Sequence, residues 1–283
     1  MSRMSKEQLK NLMKFWLMIY TKIVPRAILL YAVIIIALTI YLNGKVSPVF
    51  VFLCVEMSLN WYCVYRISHK SSPLRGNSKK WDLKSIVIKP MGDSTAYKYW
   101  YCKKCQLYMR KPTQHCVFCK KCYHFREQHC FLLGACVLRQ NMGNFILLCF
   151  YASLASVYTM LVMGWCVVES LDQMIKNADN INLFENFCFP ITLIKLLSKN
   201  LSCIFIFILF NLQIVMQSLS MGYGFWKLYT CLTGKQCYGH LTGKQDLKDI
   251  FGSYSLMNVL FPYNGLVGKR SVNDGRQHQL KEV

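Results

Sequence analysis

The stretch of residues 102–145 constrains the fold of this chain more than any other part of its sequence. It contains seven of the 15 cysteines and three of the six histidines. Two residues separate the members of three cysteine pairs, which are Cys102 and Cys105, Cys116 and Cys119, and Cys119 and Cys122. Thiolate and imidazole groups at such spacings are typical of structural zinc, because Zn²⁺ prefers four tetrahedral sulfur and nitrogen ligands. An odd cysteine count with such pairs also favours metal binding in a reducing compartment over a disulfide framework.

The candidate ligands divide into two interleaved sets, each of three cysteines and one histidine. The first set is Cys102, Cys105, His115 and Cys122, and the second set is Cys116, Cys119, His129 and Cys136. Together they use every Cys and His of the stretch except His124 and Cys130. The metal therefore does not need the Cys130 thiol, although the ligands on either side of it fix its backbone. The alternative is that Cys130 is a bystander thiol.

This stretch resembles the cysteine-rich domain of the DHHC protein S-acyltransferases, or palmitoyltransferases. The positions that match the family pattern are Pro112, His115, Cys116, Cys119, Cys122, Cys130, Cys136, Val137, Asn141 and Phe145. The resemblance implies the same division of the zinc ligands. It also implies that Cys130 takes an acyl chain from acyl-CoA as a thioester and passes it to a substrate cysteine.

The chain departs from the family pattern directly before this cysteine. The family has Asp-His-His-Cys, whereas this chain has Glu127, Gln128, His129 and Cys130, and Phe131-Leu132 replaces the usual Pro-Trp. In the family the first His is the base, held by the Asp, so the resemblance assigns these roles to Gln128 and Glu127. A free thiol has a pKa of about 8.5, and a glutamine side chain cannot accept and release a proton.

Several features compensate for the missing imidazole. Glu127 is one methylene longer than Asp and can extend directly to Cys130, while two nearby Zn²⁺ ions and the basic residues Lys120, Lys121 and Arg126 favour a thiolate. His124 is another candidate base, although a surface position is the simpler expectation for it.

The rest of the chain has the composition of a multi-pass membrane protein. Its residues are 54% hydrophobic, its mean hydropathy is +0.24 and its formal net charge is +21. Apolar spans lie near residues 27–43, 46–65, 145–168 and 201–219. We therefore expect an α-helical membrane protein with four transmembrane helices and a small cytoplasmic double-zinc cysteine-rich domain between helices 2 and 3.

Charge predicts the orientation of these spans, because cytoplasmic segments of membrane proteins are enriched in Lys and Arg. The expected segments are a cytoplasmic amphipathic segment 1–26, helices 1 and 2 in 27–65, a cytoplasmic loop 66–144 that carries the zinc domain (102–145), helices 3 and 4 with an acidic lumenal loop in 145–220, and a cytoplasmic tail 221–283. A short strand is expected at 85–90. In the tail the sequence LTGKQ occurs twice, at 232–236 and 241–245, and residues 246–252 resemble the family's tail segment, but the family's Thr-Thr-x-Glu motif is missing.

Two functions remain open at this point. One is a protein-cysteine S-palmitoyltransferase with an activity that Gln128 reduces, and the other is a catalytically inactive zinc-stabilised membrane scaffold or partner subunit. A RING-like ubiquitin ligase fits the cysteine spacing less well. Retention of Cys130 favours the enzyme, for which the resemblance implies palmitoyl-CoA or another long-chain acyl-CoA as donor. It also implies membrane-associated protein substrates with cytoplasmic cysteines, and a location in the endoplasmic reticulum or Golgi. The apolar spans argue for a lipid bilayer and against nucleic acid as the partner of the positive charge.

Overall fold

The computed structural model describes residues 6–71, 99–110, 112–176, 201–237, 243–252 and 255–262. The strand predicted at 85–90 and most of the predicted lumenal loop lie outside these residues. The chain divides into two compact units. The first, here called the zinc unit, comprises Met1–Ala27, Ser58–Leu148 and Phe225–Val283, and the second, here called the helical unit, comprises Ile28–Met57 and Cys149–Gly224.

Seven α-helices lie within the described residues, and the second to the fifth of them contain the apolar spans of the sequence. They are α1 (Lys6–Met18), which continues through a π-helical turn (Ile19–Ile23) into α2 (Val24–Asn43), then α3 (Pro48–Lys70), α4 (Met142–Lys176), α5 (Leu201–Thr233), α6 (Leu247–Phe251) and α7 (Ser255–Leu260). Within the described residues, the segments long and apolar enough to cross a membrane are Glu7–Asn43, Pro48–Lys70 and Arg139–Cys166. The fourth predicted span lies in α5, and the count of four spans stays a prediction.

The helical unit is held together by an apolar cluster and by one buried polar residue. Ile35, Met163 and Leu209 form the buried cluster. Gln213, which is 4% exposed, donates from Nε2 to the hydroxyl of Ser156 at 3.1 Å and to that of Thr159 at 2.8 Å. Polar side chains of membrane helices gain stability by pairing in this way, since lipid offers them no partner.

The cysteine-rich stretch folds into three antiparallel β-hairpins. Their strands are β1 (Tyr99–Cys102) with β2 (Leu107–Arg110), β3 (Thr113–Cys116) with β4 (Lys121–His124), and β5 (Arg126–Cys130) with β6 (Ala135–Leu138). Each strand has only four or five residues. Such short strands bury too little apolar surface to be stable alone, so the hairpins need another source of stability.

The three hairpins repeat with a period of 14 residues. Equivalent cysteines end the first strand of each hairpin, at Cys102, Cys116 and Cys130. The residue that turns the chain back has a positive φ in each hairpin, at Gln106 (55°), Lys120 (55°) and Gly134 (62°). The second cysteine of the first two turns, Cys105 or Cys119, is replaced in the third turn by Leu133. Cys130 therefore occupies the first position of a zinc knuckle that lacks its second ligand.

The third hairpin is anchored to the C-terminal half of α3. The backbone N–H of Cys136 donates to Ser68 Oγ at 3.0 Å. Asn141, which is fully buried, accepts from the backbone N–H of Leu138 at 2.7 Å and donates to the carbonyl oxygens of Val64 at 3.2 Å and Cys136 at 3.1 Å. These bonds fix the hairpin that carries Cys130 against a long helix.

Candidate active site and metal centres

The structure brings the eight predicted ligands together in the two predicted sets. In the first set, His115 Nδ1 lies 3.6 Å from the sulfur of Cys102, 3.3 Å from that of Cys105 and 3.6 Å from that of Cys122. The sulfurs of Cys105 and Cys122 are 3.6 Å apart. All four ligand atoms lie within 4.8 Å of one another.

The second set has the same geometry. His129 Nδ1 lies 3.6 Å from the sulfur of Cys116, 3.4 Å from that of Cys119 and 3.6 Å from that of Cys136. The sulfurs of Cys119 and Cys136 are 3.6 Å apart. The strand register explains the match, because His115 faces Cys122 in one hairpin and His129 faces Cys136 in the next.

These distances fit a tetrahedral metal ion. Bonds of about 2.3 Å to sulfur and about 2.0 Å to nitrogen place two sulfurs about 3.8 Å apart and a sulfur about 3.5 Å from a nitrogen. The eight separations given above are 3.3 to 3.6 Å. Each set can therefore hold one metal ion with three thiolates and one imidazole.

Cys130 lies outside both ligand sets. It is half-buried, and the backbone N–H groups of Leu132 and Leu133 donate hydrogen bonds to its sulfur. The sulfur of Cys102, at the equivalent position of the first hairpin, accepts hydrogen bonds from Lys104 and Cys105 in the same way. Burial raises the pKa of the Cys130 thiol, and the two N–H donors partly oppose this rise because they stabilise a thiolate. Cys130 therefore has the same two backbone donors as the predicted ligand Cys102, but the residue that faces it across the hairpin is Ala135, which is not a metal ligand.

Glu127 contacts the C-terminal part of the chain. Its Oε1 accepts a hydrogen bond from Lys227 Nζ at 2.9 Å, and its Oε2 accepts one from the backbone N–H of Cys237 at 3.0 Å. The side chains of Lys227 and Glu127 are only 2% and 5% exposed. The carboxylate that the sequence suggested as a partner of Cys130 is therefore engaged on both oxygens by donors from α5 and the segment after it.

Sequence reasoning missed Lys227. A signal was available, because this lysine is the single charged residue among the 33 residues of α5. A lone charge in an apolar helix needs a partner of opposite sign. The sequence alone does not identify that partner, which lies 100 residues away.

The other two candidates of the sequence motif lie in neighbouring strands. Gln128 is half-buried and pairs with Val137 across the third hairpin. His124 is exposed at the end of β4, where its Nδ1 shares a hydrogen bond of 3.0 Å with the hydroxyl of Thr113. The expected surface position of His124 is therefore the one that the structure shows.

The turn that follows Cys130 contacts the N-terminal segment at two points. The ring of Tyr20 lies 5.1 Å from that of Phe131. A Cβ atom added at Gly134 would lie 3.1 Å from Pro25 Cγ. The amphipathic segment predicted at 1–26 thus contacts the turn next to the thiol.

Comparisons with known proteins agree with the pattern of the motif. The sequence profile of a family described as DHHC palmitoyltransferase matches residues 96–235. The chain is 33% identical over 76 residues to "Probable protein S-acyltransferase 15" of Arabidopsis thaliana, which covers 27% of this chain and 30% of the relative. It is 25% identical over 132 residues to "Palmitoyltransferase ZDHHC3" of Rattus norvegicus, a match that covers 47% of this chain and 41% of the relative. It is 26% identical over 172 residues to "Palmitoyltransferase ZDHHC22" of Mus musculus, a match that covers 53% of this chain and 60% of the relative. The chain thus spans less than two thirds of the length of these relatives.

Proposed function

We propose that this chain, which belongs to the DHHC palmitoyltransferase family, moves a fatty acyl group from acyl-CoA to cysteines of other proteins through a thioester on Cys130. The observation that carries this proposal is the position of Cys130, a thiol that lies between His129 and Cys136, two ligands of the second set, and belongs to neither set. Backbone N–H groups point at its sulfur. A thiol kept away from metal but held at a fixed position is what covalent catalysis needs.

The proposed metal is zinc, one ion in each Cys3His set. Three sulfurs and one nitrogen at tetrahedral separations suit Zn²⁺, which has no redox chemistry of its own. When bound, the two ions contribute folding energy to a module whose hairpins have little core of their own. The ligands Cys102, Cys105, His115 and Cys122 hold one ion, and Cys116, Cys119, His129 and Cys136 hold the other.

The reaction has two steps at one sulfur. In the first, Cys130 Sγ attacks the thioester carbonyl of palmitoyl-CoA or another long-chain acyl-CoA, an S–C bond to Cys130 forms, the bond to the CoA sulfur breaks, and CoA leaves as the thiol with the proton of Cys130. In the second step, the thiol of a substrate cysteine attacks the acyl-enzyme, takes the acyl group and returns its proton to Cys130. Because Gln128 cannot relay a proton, we expect both steps to be slower than in a protein with an imidazole at this position.

The proposed setting is an endomembrane. The chain is a multi-pass protein of the endoplasmic reticulum or Golgi with its termini and zinc domain in the cytoplasm, and its substrates are membrane-associated proteins with cytoplasmic cysteines. The basic N-terminal and zinc segments support this orientation, and the apolar helices support insertion into the bilayer.

A second candidate function is a catalytically inactive scaffold or partner subunit of the same fold. Two observations favour it. Gln128 stands where the family has its base, and both carboxylate oxygens of Glu127 are engaged by other groups. Both metal-ligand sets would be retained in such a protein, because the fold depends on them.

Acylation of the purified protein tests the proposal. The full chain is incubated with labelled palmitoyl-CoA, and the label is mapped by mass spectrometry with and without hydroxylamine, which cleaves thioesters. We expect hydroxylamine-labile label on Cys130, which Cys130→Ala removes and Cys54→Ala, a change at another half-buried cysteine, leaves in place. Absence of label on the unmodified protein overturns the enzyme and favours the scaffold.

A further inference from the structure

We infer that Lys227 is a positioning residue for acyl transfer, and that Glu127 acts through this lysine as a structural clamp rather than as a proton acceptor. The inference deepens the proposed function and rests on it. Its starting point is the ion pair of 2.9 Å between Lys227 Nζ and Glu127 Oε1, whose side chains are 2% and 5% exposed. The ammonium group also lies 4.5 Å from the ring centroid of Trp226. Buried charges are stable only when such partners compensate for lost hydration.

The second oxygen of Glu127 is held as firmly as the first. It accepts from the backbone N–H of Cys237 at 3.0 Å. One carboxylate therefore bridges β5, the end of α5 and the segment that follows α5. A carboxylate with both oxygens bonded has one orientation, and it holds the strand that carries it in one position.

Described residues of the two LTGKQ sequences contact each other beside this clamp. Gly234 and Gly243 occupy the same place in the two copies and have positive φ values of 73° and 67°. They pack so closely that a Cβ on Gly234 would lie 3.0 Å from the carbonyl carbon of Gly243. The last residues of the copies are also paired, because Gln245 donates to the side-chain oxygen of Gln236 at 3.2 Å. These two contacts join the end of the first copy, directly before Cys237, to residues 243–245 of the second copy.

The clamp holds Glu127, which lies at the irregular point of β5, the strand that ends at Cys130. The register of β5 and β6 shifts between Arg126 and Gln128, so Glu127 is the residue of a β-bulge. Bulges change the direction of the following side chains and often occur beside active sites. After the bulge, His129 is fixed by its metal-ligand set and Cys130 comes next. The strand is therefore fixed on both sides of Gln128, and the direction of the Cys130 side chain depends on both points.

The roles of clamp and base differ in one measurable way. A carboxylate that takes a proton from the thiol cannot be replaced by a neutral amide, whatever residue stands opposite it. A clamp can be replaced by an uncharged pair that fills the same space, because its function is only to hold the strand. Neutralising one member alone leaves a buried charge without its partner, and neutralising both removes that penalty.

The test compares Lys227→Met, Glu127→Gln and the double variant in the full-length protein. One readout is the rate of Cys130 acylation with palmitoyl-CoA. The other, which needs no enzymatic activity, is the rate at which N-ethylmaleimide modifies Cys130, followed by mass spectrometry of the peptide that carries it. Zinc content of each variant reports whether the module is folded, and Lys248→Met, at an exposed lysine of α6, is the matched control.

We expect Lys227→Met to lower the acylation rate by about tenfold or more and to change the alkylation rate of Cys130, because the unpaired carboxylate disrupts the bulge. The double variant should recover both rates to within about threefold of the unmodified protein, as expected for strongly coupled residues. Lys248→Met should change neither.

Three results would overturn the inference. The first is a double variant that acylates as slowly as Glu127→Gln alone while it retains zinc, because the carboxylate itself would then take part in the reaction. The second is a Lys227→Met protein with unchanged rates. The third is an alkylation rate that the double variant does not restore. If the unmodified protein is not acylated at all, the proposed function fails, and the alkylation rates alone still decide whether Lys227 positions Cys130.

Discussion

Replacing Asn141 with aspartate should weaken the attachment of the third hairpin, which carries Cys130, to α3. The change keeps the size of the side chain and the oxygen that accepts from the N–H of Leu138 at 2.7 Å. It replaces the Nδ2 donor by a second oxygen, which then faces the carbonyl oxygens of Val64 and Cys136 at 3.2 and 3.1 Å. Two hydrogen bonds become two repulsive contacts in a site with no access to water, since Asn141 is 0% exposed.

The magnitude follows from these two contacts. Each lost hydrogen bond costs about 1 kcal/mol, and the new buried oxygen, which faces two acceptors and no donor, adds about 2 kcal/mol. The total is about 4 kcal/mol of unfolding free energy, or roughly a thousandfold in the folded-to-unfolded ratio. For a protein of this size, the midpoint of thermal unfolding should fall by about 8 to 16 °C.

The assay is thermal unfolding in detergent, followed by circular dichroism, together with the rate of zinc loss to a chelator. Gln140→Glu is the matched control, because it makes the same chemical change one residue away at an exposed side chain whose oxygen accepts from Ser71 at 2.8 Å. We expect the control to change stability by less than about 0.5 kcal/mol. Equal midpoints for the two variants would refute the reasoning that Asn141 anchors the hairpin.

Three further results are expected. Gln128→His should raise the rate of Cys130 acylation by about 10²-fold or more, because it supplies the imidazole base, and an unchanged rate measured by single-turnover labelling would argue against an intact site. Gly143→Ala should destabilise the protein by about 1 to 3 kcal/mol, because the new Cβ would lie 2.2 Å from the carbonyl oxygen of Ile250; thermal unfolding should show no such loss for Gly222→Ala, where the Cβ meets nothing within 4 Å. Removal of metal by a strong chelator should unfold the hairpins and abolish acylation, and both should return when zinc is added back; acylation that survives complete metal loss would contradict this dependence.

The two Cys/His clusters were predictable because the members of each cluster lie close together in the sequence. Within each set, consecutive members are between three and ten positions apart, and the structure brings together the same two groups that this spacing predicts. The three-hairpin repeat was also present in the sequence. The 14-residue period from Cys102 through Cys116 to Cys130 is readable without a structure, but the loss of the second knuckle cysteine at Leu133 hides it.

The surroundings of Glu127 were not predictable. Its partners Lys227 and Cys237 are 100 and 110 residues away, and sequence spacing carries no information about such contacts. Hydropathy also does not predict the residue at which α5 ends. The apolar span predicts an end near residue 219, whereas the helix continues to Thr233, because a helix does not have to end where its apolar segment does. Lys227 lies in this extension of α5, where it pairs with Glu127 of β5.

The central claim is that two metal centres use eight ligands and leave one sulfur, that of Cys130, to carry the acyl group. Native mass spectrometry of the purified full chain after incubation with palmitoyl-CoA tests it most directly. We expect a species that carries two zinc ions and one palmitoyl group together, with fragmentation placing the acyl group on Cys130. A palmitoyl group that appears only on protein that has lost a zinc ion, or on one of the eight ligand cysteines and histidines, would contradict it.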